Sequence, residues 1–196
     1  MKKVLLTAVA VFAFSFANAQ EQEVSGFSQG SVFISGSVGF DSSTQGDAKS
    51  NDITFSPSFG YFVTENIALG ARLDINSGSD DNGVAETKNS SFGANVFGRY
   101  YFTPASQFSV FGELAVGFGS GKFEPAVGPE SKYNTFGVNA GVGVSYFLSS
   151  NFAIEAGWAG LGYNSEKADA PGAEAANTFG LNVDMSSLNL GLVYKF

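Results

Sequence analysis

Six charged side chains stand within segments that are otherwise made of apolar and small residues. Three are cationic and three are anionic, and the alternation described below puts all six on the inward face of predicted strands. An unpaired ion in a narrow, low-dielectric interior costs on the order of several kcal/mol, so these charges are expected to pair. Arg99 and Glu113 flank one short turn and are predicted to lie close together. The predicted lumen charge cluster consists of Arg72, Asp74, Arg99, Glu113, Glu155 and Lys195.

This charge cluster allows two interpretations. It could act as a salt-bridge gate or as a selectivity constriction for ions. Alternatively, it is a structural plug that holds a closed barrel together. The plug is favoured because the interior of an eight-stranded barrel has little room for water beside its side chains.

The absence of two residue types removes most catalytic schemes. The chain has no Cys and no His, which excludes disulfides, Cys/His metal sites, a Cys nucleophile and any His-based triad. A Ser–Lys or paired-carboxylate site is compatible with the composition, but no arrangement singles one out. We therefore predict no enzyme, no catalytic residue, no cofactor and no metal site.

Two short motifs resemble ligand loops only superficially. Residues 74–82 are rich in Asp and Asn, but Ser79 and Ala85 stand where the EF-hand pattern requires Gly and an acid. Residues 117–122 are rich in Gly, but Val116 and Phe123 occupy positions that a phosphate-binding P-loop needs as Gly and Ser or Thr. The first is interpreted as a solvated acidic loop and the second as a strand running into a loop.

The elements that position these residues are predicted from period-2 alternation of apolar and polar residues. Pro57 within the second strand would favour a sheet edge or a bulge, and a closed sheet has no edge. In the last strand the alternation slips, which predicts a bulge or a strand start near Ser186 and Ser187. The predicted strands cover residues 32–40, 53–62, 67–75, 91–102, 108–118, 136–147, 152–163 and 188–196.

The two faces of these strands favour a membrane barrel over a soluble sandwich. One face is continuous Leu, Val, Ile and Phe, and the other is mostly Ser, Gly, Ala and Asn, which suits the crowded inside of a narrow barrel. Aromatic residues lie at the strand ends, as in the girdles of transmembrane barrels. In lipid every backbone amide must be paired, so the sheet has to close. The predicted girdle includes Tyr61, Tyr100, Phe108, Tyr146, Phe152 and Trp158.

Connection lengths and the first residues give the orientation and the domain boundaries. Lys2 and Lys3, an apolar run over 4–16 and Ala17-Asn18-Ala19 are typical of a secretory signal peptide cleaved after Ala19. Short and long connections alternate, so short turns should face the periplasm and long loops the outside. We predict a signal peptide over 1–19, a periplasmic N-terminal segment over 20–30 and the barrel over 31–196.

Charge limits the choice of partners. After removal of the signal peptide, 8 basic and 18 acidic residues remain, a net charge of −10, which disfavours nucleic acid. The four long connections hold 11 acidic and 5 basic residues. They could attract divalent cations near lipopolysaccharide or a basic partner, or they are simply solvated surface.

The chain resembles the small OmpA/OmpX-like outer-membrane β-barrel proteins of Gram-negative bacteria. The resemblance rests on residues 60–70, on 99–102 and on the terminal run 188–196. It implies outer-membrane lipid and lipopolysaccharide as surroundings, and the barrel-assembly machinery as a partner during biogenesis. The terminal run resembles the C-terminal assembly signal of such proteins, carried here by Leu188, Leu190, Leu192, Tyr194 and Phe196. OmpA itself continues into a peptidoglycan-binding domain, so cell-wall tethering by that route is not expected here.

Three functions follow as hypotheses. The first is an all-β, eight-stranded, non-enzymatic outer-membrane barrel that contributes to envelope integrity or binds an unknown surface partner through its loops. The second is a narrow passive channel for small solutes. The third is a secreted soluble binding protein with a sandwich or lipocalin-like fold, which short alternating strands alone would not distinguish.

Overall fold

The structure is a computed structural model that describes residues 26–181 and 189–196, apart from the side chains of residues 158, 159 and 189. Strands dominate the described residues, and none of these residues forms a helix long and apolar enough to cross a membrane. The strands are β1 (Val32–Gln45), β2 (Ala48–Phe62), β3 (Ile67–Asp81), β4 (Glu86–Tyr101), β5 (Phe108–Glu124), β6 (Ser131–Phe147), β7 (Phe152–Ala168), β8 (Ala175–Leu181) and β9 (Asn189–Lys195).

The strands form a closed antiparallel barrel. Consecutive strands pair from β1 to β7, and β9 pairs with both β7 and β1. β8 pairs with the outer half of β7, and β9 pairs with its inner half. Together they occupy the position of the eighth strand of the barrel. The predicted eight-stranded barrel is confirmed. The irregularity predicted near Ser186 and Ser187 lies outside the described residues.

The first seven strands are longer than predicted, at 14 to 17 residues. About 9–11 tilted residues suffice to span a membrane, so each hairpin continues well beyond the apolar band. β1 and β2, for example, pair up to Gln45 and Ala48 and turn through Gly46, whose φ is 63°. The long connections predicted for this end are therefore mostly extended hairpins. Their residues are polar, so the sequence has no apolar alternation from which the backbone pairing could be predicted.

Two irregularities interrupt the regular ladders. β2 pairs with β3 up to Phe55 and again from Ser58, and Pro57 lies between them. Pro57 thus occupies a gap in one ladder, which explains how a residue without an amide proton is accommodated in a closed sheet. The second is a bulge in β7, where Gly141 pairs with Gly160 and Val142 with Trp158. The bulge exchanges the inward and outward faces along β7. The sequence did not reveal this change of phase, because the residues of β7 near the bulge include small ones.

The outward face of the barrel is apolar and the inward face is not. Leu69, Leu114 and Leu190 are 51%, 57% and 66% exposed on the outer wall instead of being packed in a common interior. Every strand contributes similar side chains, as lipid contact requires. The arrangement excludes the soluble sandwich, whose two apolar faces would be buried against each other.

Aromatic side chains ring both ends of the apolar band. At the short-turn end the rings of Phe152 and Tyr194 lie 4.9 Å apart, and those of Tyr100 and Phe102 lie 5.3 Å apart. At the hairpin end Phe118 and Phe136 lie 5.1 Å apart. The exposed residues at the short-turn end include Tyr61, Tyr100, Phe108, Tyr146 and Phe152. The side chain of Trp158, predicted for the opposite belt, lies outside the described part of the chain.

Candidate functional site: the charge network and the aromatic floor of the lumen

Glu113 is the centre of the charge network inside the barrel. It projects inward from β5 and accepts hydrogen bonds from two guanidinium groups. Nη2 of Arg72 lies 2.8 and 2.7 Å from its two carboxylate oxygens, and Nε of Arg99 lies 2.6 Å from Oε2. Arg72 comes from β3, which is not a neighbour of β5 in the sheet. The Arg72 contact therefore passes over β4, whereas Arg99 is the direct register partner of Glu113 on the adjacent strand.

Arg99 extends the network to the opposite wall. Its Nη1 lies 2.9 Å from Oε2 of Glu155 on β7 and 3.1 Å from the hydroxyl of Tyr101. That hydroxyl donates in turn to Oε1 of Glu155 across 3.2 Å. Arg99 and Glu155 are only 5% and 7% exposed. Charge-assisted hydrogen bonds of this kind compensate the desolvation of buried ions.

Aromatic rings hold the two guanidinium groups in place. The Arg99 guanidinium carbon lies 4.5 Å from the ring centroid of Phe111 and 4.9 Å from that of Phe97. The guanidinium carbon of Arg72 lies 5.1 Å from the same Phe97 ring centroid. Cation–π contacts strengthen when desolvated, so the rings favour the charged state that the carboxylates require.

The remaining two predicted cluster residues lie apart from this network. Asp74 accepts hydrogen bonds from the hydroxyl of Ser56 and the amide of Asn95, and no Lys or Arg of the described residues pairs with it. The ammonium of Lys195 donates to the carbonyl of Gly26 across 2.8 Å and lies 5.3 Å from the ring of Phe147. Four of the six predicted charges thus form one neutral network, whereas Asp74 stands above it and Lys195 below it.

Phe27 forms an aromatic floor that sequence reasoning missed. Its ring lies 4.6 Å from that of Phe62, 4.8 Å from Phe147 and 5.3 Å from Tyr101. The side chain is 1% exposed, and its backbone amide donates to the carbonyl of Pro104 across 2.6 Å. The segment predicted to precede the barrel therefore crosses the short-turn mouth and inserts a ring into it. A single Phe in a polar stretch was the only available signal.

A cavity of about 810 Å³ lies above the charge network. Arg99, Glu113 and Glu155 form its floor, and its walls carry small groups such as Ser37 and Thr54. Within the described ranges no three acidic, His or Cys side chains are grouped to hold a metal ion. The lumen is thus blocked twice near the short turns and widens toward the hairpins.

These features define a class of protein. A closed antiparallel wall with a lipid-facing apolar band, two aromatic belts and a filled polar interior is a transmembrane β-barrel. The family comparison agrees: residues 6–196 match the model described as the outer membrane protein beta-barrel domain. The chain belongs to this family and is a protein of the outer membrane. The resemblance to small outer-membrane barrels noted from the sequence is confirmed.

Solved structures of small barrels share the fold. The chain is similar to the outer membrane protein OprG from Pseudomonas aeruginosa, with 17% identity, 87% of this chain and 98% of that chain covered, and a TM-score of 0.58. It is also similar to Ail, the attachment invasion locus protein of Yersinia pestis, with 16% identity, 86% and 99% covered, and a TM-score of 0.48. A search of curated proteins gives no match.

Proposed function

We propose that this protein is a non-enzymatic outer-membrane barrel with a closed lumen, and that it supports envelope integrity or surface contacts through its long hairpins. The observation that carries the proposal is the double block of the lumen. Phe27 and its ring partners fill the periplasmic mouth, and the network around Glu113 crosses the barrel directly above them.

The two barriers argue against the alternative of a passive channel. The floor is held by ring packing and by backbone hydrogen bonds to the carbonyls of Pro104 and Ala105, whereas the network is held by ion pairs. The two barriers share Tyr101, whose ring contacts Phe27 and whose hydroxyl contacts Arg99 and Glu155. Their other interactions differ, so loosening one leaves most of the other in place. A solute would have to displace both, including an ion pair whose separation leaves buried charges unpaired.

The hairpins provide the surface for contacts outside the cell. A 17-residue strand such as β5 is about 56 Å long at about 3.3 Å per residue. With a tilt of about 40°, it rises about 43 Å, against an apolar band of about 25 Å. Most of the excess lies beyond the outer aromatic belt. The paired backbone makes these projections stiffer than free loops, which lowers the entropy lost on binding a partner.

The outward face of the hairpins suits lipopolysaccharide. Side chains alternate along each strand, so the opposed residues Ser90 and Lys122 share the outward face, as do Lys122 and Lys132. Lys122 also donates to Glu124, which lowers the pKa of that carboxyl below its ordinary value. All described lysines of these hairpins occupy the outward face, namely Lys49, Lys88, Lys122, Lys132 and Lys167.

A groove between the outer ends of β1 to β5 adds to this surface. It has a volume of about 480 Å³ and is lined by Phe40 and Ile53, by Lys88 and Lys122, and by the carboxylates of Asp52, Glu86 and Glu124. Apolar side chains beside ammonium groups match a ligand that joins acyl chains to phosphates. We take this flank as the lipopolysaccharide contact of the barrel.

The end of the chain supports a role for the barrel-assembly machinery. Leu190, Leu192 and Phe196 are exposed on the outer wall of the barrel, and the rings of Tyr194 and Phe196 lie 4.9 Å apart. Leu188, the first residue of the predicted signal, lies outside the described residues. An apolar edge ending in an aromatic residue is the feature that the resemblance assigns to recognition.

Conductance across planar bilayers tests the closed lumen. We expect no steady open state for the refolded protein, because both barriers are in place. Phe27→Ala and Arg99→Ala should each remain closed, since each removes one barrier, and the combined variant should conduct. A steady open state of the unaltered protein that changes on substitution of Arg99 or Glu113 would establish the channel instead.

Shortened hairpins test the role at the cell surface. Replacing residues 78–89 by a short turn removes the outer end of one hairpin and leaves the membrane-spanning part of β3 and β4 intact. Cells with this variant should show the same envelope defects, such as sensitivity to detergent, as cells without the protein. Full rescue by a correctly inserted, shortened barrel would contradict a role for this hairpin.

A further inference from the structure

The residues that precede β1 cross the short-turn mouth of the barrel and are fixed at both sides of it. We call residues 26–31 the strap. On one side the amide of Phe27 donates to the carbonyl of Pro104 across 2.6 Å, in the turn between β4 and β5. On the other side the amide of Gly30 donates to the carbonyl of Phe62 across 2.9 Å, at the end of β2. The strap therefore bridges parts of the wall that are not adjacent in the sheet.

The strap also holds the last strand. The ammonium of Lys195 on β9 donates to the carbonyl of Gly26 across 2.8 Å. The ring of Phe27 lies 5.4 Å from that of Phe33 on β1, and Phe33 and Lys195 are directly opposed where β1 meets β9. The strap thus contacts the first and the last strand at the place where the two pair.

The pairing of β1 with β9, which we call the seam, closes the barrel and is short. Within the described residues it extends from Phe33 to Ser37 of β1, whereas the pairing of β1 with β2 extends from Val32 to Gln45. The seam also joins the two ends of the wall, so forming it costs more loop-closure entropy than forming a hairpin. We therefore expect the seam to be the part of the wall that opens first.

The site of the Phe27 ring exists only after the seam has formed. Its ring partners come from β1, β2, β4 and β6, namely Phe33, Phe62, Tyr101 and Phe147. These strands meet at one mouth only in the closed barrel, where the side chain of Phe27 is 1% exposed. A group that binds the closed state and not the open one stabilises the closed state. Seating of the strap therefore opposes opening of the seam.

The close fit of the strap explains two of its glycines. A Cβ at Gly26 would overlap the carbonyl oxygen of Pro104, so a side chain there would push the backbone away from this turn. Gly30 has a φ of 85°, a left-handed conformation that favours glycine, and it turns the chain from the mouth into β1. The strap is thus shaped for the position that it occupies.

We propose that the strap is a closure latch, which seats after β1 and β9 have paired and keeps the seam from reopening. Unfolding through the seam then requires that Phe27 leaves its ring partners and that Lys195 releases Gly26. This proposal goes beyond the proposed function, because it concerns the lifetime of the folded barrel and holds whether or not the lumen conducts.

Unfolding and refolding rates of the full-length protein in urea and lipid vesicles test the latch. Phe27→Ala should accelerate unfolding about a hundredfold, because a buried ring is lost. It should leave the folding rate nearly unchanged, because the strap seats last. Lys195→Met keeps an apolar stem and removes the hydrogen bond to Gly26, so it should accelerate unfolding about tenfold.

A disulfide across the seam distinguishes a latch from an ordinary core residue. Gly36 and Leu192 are directly opposed in the seam, a Cβ at Gly36 meets no close neighbour, and the chain has no Cys of its own. Opposed residues of antiparallel strands lie within the distance that a disulfide spans. With Gly36→Cys and Leu192→Cys oxidised after folding, the seam cannot open, so Phe27→Ala should no longer accelerate unfolding. Reduction of the disulfide should restore the acceleration.

Phe97→Ala is the matched control, because it removes a similarly buried ring of β4 that is not among the ring partners of Phe27. Its effect on unfolding should persist when the seam is oxidised. Heat-modifiable gel migration verifies folding, and Lys195→Met carries the same comparison if Phe27→Ala does not fold. The proposal is overturned if Phe27→Ala unfolds like the unaltered protein, if it slows folding as much as it speeds unfolding, or if oxidation of the seam affects Phe27→Ala and Phe97→Ala alike.

Discussion

Arg99 is the residue on which the order of the lumen depends. It joins carboxylates from β5 and β7 and contacts the rings of Phe97 and Phe111. The sequence indicated that Arg99 and Glu113 would be near each other because both flank one turn. It placed Glu155 in the lumen but did not pair it with Arg99, because Glu155 is 56 residues beyond Arg99 in the chain and reaches it only when the sheet closes.

Loss of the Arg99 guanidinium should destabilise the barrel strongly. Arg99→Ala leaves Glu155 buried without its ion-pair partner, and removal of one partner of a buried pair costs about 3–5 kcal/mol. The free energy of unfolding can be measured by urea titration in lipid vesicles. Lys122→Ala is the control: it breaks an exposed pair with Glu124, so the free energy of unfolding should hardly change. Equal losses for the two variants would show that the network does not stabilise the fold.

Phe27 shows what local pattern cannot reveal about a residue. It lies outside any strand, so no alternation marks it as inward-facing. Its burial results from the meeting of Phe62, Tyr101 and Phe147, which come from three different strands. Only closure of the barrel brings these rings to one mouth.

At the scale of the strands, polar hairpins explain the difference between predicted and observed lengths. The outer half of β3 consists of Asn, Ser, Gly and Asp, in which no apolar period is visible. Its backbone nevertheless pairs with both β2 and β4 up to Asp81. Pairing depends on the backbone and on the neighbouring strand, so the strand boundary was set by its partners and not by its own residue types.

Two outward lysines at the outer ends of β4 and β5, Lys88 and Lys122, should control lipopolysaccharide binding. Replacing Lys88 and Lys122 by Glu reverses the charge beside the groove that both residues line. We expect lipopolysaccharide bound to the purified barrel to fall about tenfold, because charge-assisted contacts to phosphate are lost. Phosphate analysis or gel-shift titration measures the bound fraction. Lys→Arg at the same two positions keeps the charge and should retain binding; equal binding by all three proteins would contradict the assignment.

At the scale of the whole molecule, the face of the barrel wall on which a side chain lies decides whether it contacts lipid or the polar lumen. Leu114 lies on the outer wall between the aromatic belts, opposite Gly98 and Ala140. Glu113, its neighbour in the chain, lies inside among arginines. Adjacent residues therefore occupy lipid and a polar lumen, separated only by the thickness of one sheet.

This arrangement predicts the effect of a charge placed in the wall. Leu114→Arg should lower the free energy of unfolding in vesicles by about 2–4 kcal/mol, the cost of a cation on the lipid face near the midplane. Ser79→Arg is the matched control, because Ser79 projects from the outward face of β3 beyond the membrane. There the change should be close to zero. Tolerance of Arg at position 114 would indicate that this face does not meet lipid.

The sequence by itself determined the class of fold, because alternation with period two, the aromatic strand ends and the charges on one face are local properties of each strand. It therefore predicted the closed barrel, its lipid-facing wall and the inward charges at Arg72, Arg99 and Glu113. Tertiary structure decided how these charges combine, where Phe27 goes and how β7 changes phase at its bulge. Those features depend on distances across the lumen, and such distances exist only after the first and last strands have paired.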